Sequence, residues 1–210
     1  MIELALTAFA TLFVVIDPLG NLPVFVTLTS GSSDAHKRRM AMKGVGIGVL
    51  VLGLFAFAGD RMLEMLGISL PAFRAAGGLL LMIIAVEMVF DLRNSRKRDN
   101  ADKIAEEVAP RDISVFPIAM PLIAGPGGIT SLLLLMGRHS DSSASQAIVL
   151  GVLATVLLIQ FSLFLLAGPI ERLMGDTVID VFSRLLGIIL AALAVQYVFD
   201  GIYEGLLNRG

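Results

Sequence analysis

The sequence predicts an all-α membrane protein of six transmembrane helices, arranged as two inverted three-helix repeats with helices 1 and 4 discontinuous. Three observations lead there. Of 210 residues, 56% are hydrophobic and only 16% charged, with a mean hydropathy of +0.86. Soluble domains carry about 25% charged residues, and the core of a chain this size has no room for so much apolar surface, whereas lipid has. Six runs reach the roughly 20 apolar residues that a helix needs to cross hydrocarbon; they occupy 4–29, 40–59, 70–91, 113–137, 144–168 and 179–203. The chain also matches itself at a shift of about 109 residues. The same composition excludes other classes. There is no cysteine, which removes disulfide frameworks, thiolate metal sites and cysteine nucleophiles. A net charge of −2 offers nothing to a nucleic acid.

Taken in order, the first run has only Glu3 ahead of its apolar stretch and no small-residue cleavage site followed by a polar segment. It is expected to remain as a helix rather than be removed as a signal peptide. The second run carries Lys43 near one end and the third Arg74 near its start, positions from which a long side chain is expected to snorkel to the interface. The fourth and fifth contain no Asp, Glu, Lys or Arg. Barrel strands alternate apolar and polar residues over about 10 positions; stretches such as Ile148 to Leu158 do not. Short amphipathic pieces at Arg61–Leu66 and Glu171–Met174 are expected to extend the preceding helices or lie at the interface. Leu92 to Asp112 mixes both charge signs and reads as a solvated cytoplasmic connector. With six spans, Arg61, Arg74, Arg138 and Arg209 fall on one side and the other twelve Lys and Arg on the opposite side. The basic side is cytoplasmic, so both termini are expected on the non-cytoplasmic side.

The repeat is clearest in the third and sixth helices. Ala85-Val86-Glu87-Met88-Val89-Phe90-Asp91 matches Ala194-Val195-Gln196-Tyr197-Val198-Phe199-Asp200, with five of seven pairs identical. Gly78 matches Gly187 and Gly59 matches Gly168 at the same shift; Pro18 matches Pro126 with a one-residue slip. The chain therefore divides into a first repeat at 1–91, the connector at 92–112 and a second repeat at 113–210. Three helices cross the membrane an odd number of times, so the second copy starts from the opposite face. Inverted repeats of this kind recur in secondary transporters and also occur in channels.

Two Pro/Gly breaks fall at corresponding places in the repeats. The first is Asp17-Pro18-Leu19-Gly20-Asn21-Leu22-Pro23, the second Pro121-Leu122-Ile123-Ala124-Gly125-Pro126-Gly127-Gly128-Ile129-Thr130. Residues 4–16 rise only about 20 Å, short of a hydrocarbon core of about 30 Å, so each break should interrupt a span rather than end it. Proline suits the first position of a new helix, with Asp17 and Gly125 as the N-caps. Each new half-helix then points unpaired amides into the protein. Gly127 and Gly128 have no side chain to hold a ligand away from that backbone, an end suited to a carboxylate. Asp17 is the most informative side chain, because a carboxylate near the bilayer centre is costly. It is suited to attract a substrate ammonium, to bind a proton or to coordinate a cation such as Na⁺; the structural alternative is an N-cap. Asn21, Thr130 and Ser131 complete the expected polar lining. Glu87 and Gln196 are expected at interfaces or in helix packing, and Gln160 in an interhelical hydrogen bond.

At these two segments the chain resembles the MarC family of small inner-membrane proteins of bacteria and archaea, and the resemblance runs from the first helix to the sixth. It implies six helices with the first and fourth discontinuous, location in the inner membrane, and, as in some relatives, transport of small neutral amino acids such as glycine and alanine. The binding region it implies is Asp17, Pro18, Gly20 and Asn21 with Gly125, Pro126, Gly127 and Thr130. The expected function is a secondary transporter of a small zwitterion, with no cofactor beyond a coupling proton or sodium ion, and with the solute and membrane lipid, but no nucleic acid, as partners. The alternatives are a channel, or a non-transporting scaffold linked to envelope stress. An enzyme is not expected: the only histidines, His36 and His139, fall outside the spans, and no second central carboxylate accompanies Asp17.

Overall fold

Apolar runs and their punctuation produce eight helical elements among the residues that the computed structural model describes, namely 1–29, 32–90, 92 and 114–207. They are α1 (Ile2–Ile16), α2 (Leu22–Leu28), α3 (Asp34–Met65), α4 (Leu70–Val89), α5 (Ser114–Ile123), α6 (Pro126–Gly137), α7 (Ser143–Leu165) and α8 (Ala167–Leu207). The connector expected at 92–112 lies outside the described residues apart from Leu92. Serine sets three of the helix starts: Ser33, Ser69 and Ser142 each accept a hydrogen bond from the backbone N–H three residues on, satisfying an amide that the helix start leaves unpaired. At the end of α3, Gly67 takes a positive φ of 68°. The N–H groups of Gly67 and Ile68 then turn back to Glu64 O and Leu63 O at 3.0 and 2.9 Å, a glycine-dependent helix stop. The pieces at 61–66 and 171–174 belong to the long helices α3 and α8 rather than standing alone.

Four segments are long and apolar enough to cross a membrane: Asp34–Gly59, Leu70–Val89, Ser143–Leu165 and Val178–Leu207. α1 and α6 are shorter apolar helices. The first predicted span is broken where expected, since α1 stops at Ile16 and regular winding resumes at Leu22. The fourth is irregular over more of its length than expected. α5 is kinked rather than regularly wound: Phe116 (φ −129°, ψ 127°) and Met120 (φ −129°, ψ 126°) are extended. Each precedes a proline, whose ring clashes with an α conformation in the residue before it. Pro117 stands outside the second break expected from the sequence, at 121–130.

Glycines bring the helices together. Gly44 and Gly48 lie on Ile118 and Ile123, and Gly59 on Leu133, so α3 runs parallel to α5 and α6. The antiparallel pair α4–α8 is closest: a methyl group on Gly78 would stand 2.7 Å from Ala194 O, and one on Gly201 2.6 Å from Ala75 N. Small residues allow such approach where van der Waals contact, rather than water, drives helix association. The main core joins Leu12, Ile16, Leu22 and Phe25 to Leu52, Ile118, Ile123 and Val156. A second cluster seats Val15 and Leu134 against Leu81 and Leu190.

The polarity is that of a chain dissolved in lipid. Large apolar side chains such as Phe57, Ile83, Leu158, Ile188 and Phe199 face outward, while Asp17, Asn21, Arg74, Ser131 and Gln160 are buried. Arg74 departs from its expected role. It does not snorkel; it is only 3% exposed and forms an ion pair with Glu204 of α8. The carboxylate on α8 and the close α4–α8 approach at Gly201 make the inward direction the better solvated one for the guanidinium.

Candidate functional site

The first break is built by Asp17. In an unbroken helix the Gly20 N–H would bond to Ile16 O, and Pro18 has no N–H to offer Val14 O. Asp17 instead adopts a left-handed conformation (φ 57°, ψ 62°), the one positive φ at a non-glycine residue among those described. Asp tolerates that region better than most residues. Its own N–H still closes α1 on Phe13 O at 3.0 Å, while Gly20 N–H donates to Asp17 Oδ1 at 3.0 Å. The capping bond expected of Asp17 is therefore present. Its backbone is left-handed rather than extended, however, and regular winding begins only at Leu22, with Asn21 in the N-cap position. The carboxylate rests directly on Gly20, where an added methyl would stand 2.2 Å from Oδ2. Gly20→Ala is accordingly expected to push the carboxylate off its turn and to cost about 1–2 kcal/mol, the range for a lost cap. Thermal unfolding of the purified variant in detergent checks this, and an unchanged midpoint would show that the carboxylate relocates freely.

Asn21 closes the gap that Asp17 opens. Its Nδ2 lies 2.9 Å from Ile16 O, 3.1 Å from Gln160 Oε1 and 3.4 Å from Leu122 O. Two hydrogens serve three acceptors, so the longest contact is the weakest. The consequence is topological: the carbonyl orphaned at the end of α1, a carbonyl of α5 and the side chain of α7 converge on one buried amide. Gln160 thus makes the interhelical bond expected of it, and its partner is Asn21. Gln160 Nε2 and Ser131 Oγ are buried with no hydrogen-bond partner among the described residues. Such groups are costly when unmet, and a polar ligand or ordered water satisfies them.

At the second break Gly125 is the N-cap of α6 (φ −78°, ψ 169°) and Pro126 follows at the helix start, as expected. The glycines beyond it also serve helix packing. A methyl on Gly127 would stand 2.6 Å from Ile84 Cδ1 and 2.8 Å from Val15 Cγ1, and one on Gly128 3.3 Å from Ile123 O. Their missing side chains let α6 approach α1 and α4. Thr130 turns its methyl toward Gly77 of α4. Asp17, Pro18, Gly20 and Asn21 thus form one buried turn that touches α5 at Leu122. Gly127 and Gly128 lie beside Val15 and Ile16, and Pro126 is exposed. Gln196 donates to Asp200 Oδ1 at 2.7 Å within its own helix.

The family described as MarC family integral membrane protein matches residues 2–206. A UPF0056 membrane protein of Archaeoglobus fulgidus is 35% identical over 201 residues, covering 96% of this chain and 93% of its own. The UPF0056 membrane protein YvbG of Bacillus subtilis is 32% identical, with 96% and 95% covered. YhcE of Escherichia coli, a UPF0056 membrane protein, is also 32% identical, with 95% and 94% covered. No solved structure matches the chain. A match over nearly the whole length, by a chain with four helices long and apolar enough to cross a membrane and an apolar exterior, leads to one conclusion: this protein belongs to the MarC family of integral membrane proteins.

Proposed function

We propose that this protein is a secondary transporter of a small zwitterionic solute, a neutral amino acid such as alanine or glycine, working by alternating access around the junction of its two broken helices. The observation that carries the reading is the Asn21 amide, which gathers Ile16 O of the first break, Leu122 O of the second and Gln160 Oε1 of α7 in the protein interior. Interrupted helices that meet in this way supply backbone dipoles for a solute's charged ends, and hydrogen bonds that can be exchanged as the halves move. Counting α1–α2 and α5–α6 as one interrupted span each, with the four long helices, makes six. Reciprocal packing supports the inversion: Gly78 lies against Val198, and Gly187 against Val89. Both pairs of equivalents are 109 residues apart, as a two-fold axis relating the halves requires. In this reading Asp17 receives the solute ammonium or the coupling proton or sodium ion. The protein sits in the inner membrane with both termini on the non-cytoplasmic side, and no covalent chemistry is involved.

Asp17→Asn is the cleanest test. Asparagine keeps an Oδ1 acceptor for Gly20 N–H and enters the left-handed region as readily as aspartate, so the fold is expected to survive. Purified protein in lipid vesicles is expected to take up labelled alanine or glycine, and Asp17→Asn to slow that uptake by about tenfold or more, a loss of at least ~1.4 kcal/mol of differential interaction. Unchanged uptake in the variant removes Asp17 from the mechanism; no uptake by the unaltered protein removes the transport reading.

A further inference from the structure

α1, which ends at the junction, also walls a second space with α6 and α8, where α1 begins and α6 ends. Glu3 and Thr7, Arg138 and His139, and Gln196 and Tyr197 of α8 line a cavity of about 400 Å³ there. One turn along α8 from Gln196, next to that lining rather than part of it, Asp200 accepts from Gln196 Nε2 at 2.7 Å and faces Arg138 at 3.6 Å. The second contact is too long for a hydrogen bond, and Asp200 Oδ2 is buried with no hydrogen-bond partner among the described residues. A guanidinium and a carboxylate thus stand opposed without engaging each other fully. A zwitterion placed between them would replace one loose ion pair by two charge-assisted hydrogen bonds.

The same two wall helices lead inward. One turn below Thr7 on α1 is Thr11, and one turn below Leu135 on α6 is Ser131; both are fully buried. Ser131 Oγ has no hydrogen-bond partner, and Thr11 Oγ1 stands beside the Tyr197 hydroxyl without reaching hydrogen-bond geometry. From Thr11 to Asp17 the helix rises only about 9 Å. Polar groups with unused capacity therefore lie on both walls between the cavity and the junction.

We propose that this vestibule is an outer capture site for the transported amino acid, with Arg138 taking the carboxylate and Asp200 the ammonium, and with Thr11 and Ser131 marking the way to the junction. The proposal deepens the transport reading and rests on it for the identity of the solute. The test pairs vesicle uptake kinetics with equilibrium binding of labelled alanine to detergent-solubilised protein. Arg138→Gln is expected to raise KM about tenfold with a much smaller change in Vmax, and Arg138→Lys to restore part of the loss. Because Arg138 is half exposed, its thermal midpoint should hardly move. Asp17→Asn protein is expected to retain alanine binding that disappears when Arg138→Gln is added. Propionate and ethylamine, each carrying one of the two charges, should not compete. If the unaltered protein transports no alanine yet Arg138-dependent binding persists, the transport reading falls and the vestibule stands. If uptake proceeds with an unchanged KM in Arg138→Gln, or no alanine binding depends on Arg138, the vestibule is overturned.

Discussion

Asn21→Ala is expected to cost about 2–4 kcal/mol and to abolish uptake. The substitution strips donors from Ile16 O, Gln160 Oε1 and Leu122 O together. A buried acceptor left without a donor costs about 1–3 kcal/mol in soluble proteins, and interhelical bonds in membranes average nearer 0.6 kcal/mol. Over three acceptors these values sum to between roughly 2 and 9 kcal/mol, and the expected cost lies at the lower end because one acceptor was only weakly held. Asn21→Asp should be worse at neutral pH although it keeps the shape, since an ionised carboxylate only accepts and would face three oxygens. Gln160→Leu should be milder, because it deletes one acceptor and an unpartnered Nε2 at the same time. Unfolding of the three variants in detergent should rank them Gln160→Leu, Asn21→Ala, Asn21→Asp in order of growing damage. An Asn21→Ala protein as stable as the original would mean that the two breaks are held together by something else.

A comparably large effect is expected where α4 meets α8. A methyl on Gly78 would stand 2.7 Å from Ala194 O and 2.9 Å from Val198 N; on Gly201 it would meet Ala75 N at 2.6 Å and Pro71 O at 2.7 Å. These are backbone atoms and cannot swing aside as a side chain does. Gly78→Val and Gly201→Val must therefore push the helices apart, at about 1–3 kcal/mol each, and Gly201→Val should also strain the Arg74–Glu204 ion pair. Gly53→Val is the control, because no atom of the described residues lies within 4 Å of its added carbon. Thermal midpoints that fall equally for Gly78→Val and Gly53→Val would contradict the close α4–α8 contact.

Much of the architecture was legible from neighbouring residues. Asp17-Pro18 and Gly125-Pro126 marked the interruptions because proline and its predecessor act on the backbone within a turn. Pro117 carried the same signal, and reading Phe116 by the same rule would have found the irregularity of α5. Gln160, one amide in an apolar helix, pointed to an interhelical bond but not to its partner. Arg74 misled, because snorkeling is the expectation for an unpaired cation and its partner Glu204 is 130 residues away. The vestibule left no compact motif, since its walls come from the start of α1, the end of α6 and the middle of α8.

The sequence alone determined that the chain lives in lipid and where two of its apolar runs lose their winding. Those properties follow from hydropathy and from local backbone sterics, and in hydrocarbon every peptide group must find a partner within the chain. Only the tertiary structure decided what the breaks touch. It joined Asn21 to Leu122 and Gln160, set Gly127 against Val15 and Ile84, and turned Thr130 toward Gly77. Contacts of that kind depend on the approach of helices distant in the chain, which small residues permit and spacing along one helix does not encode.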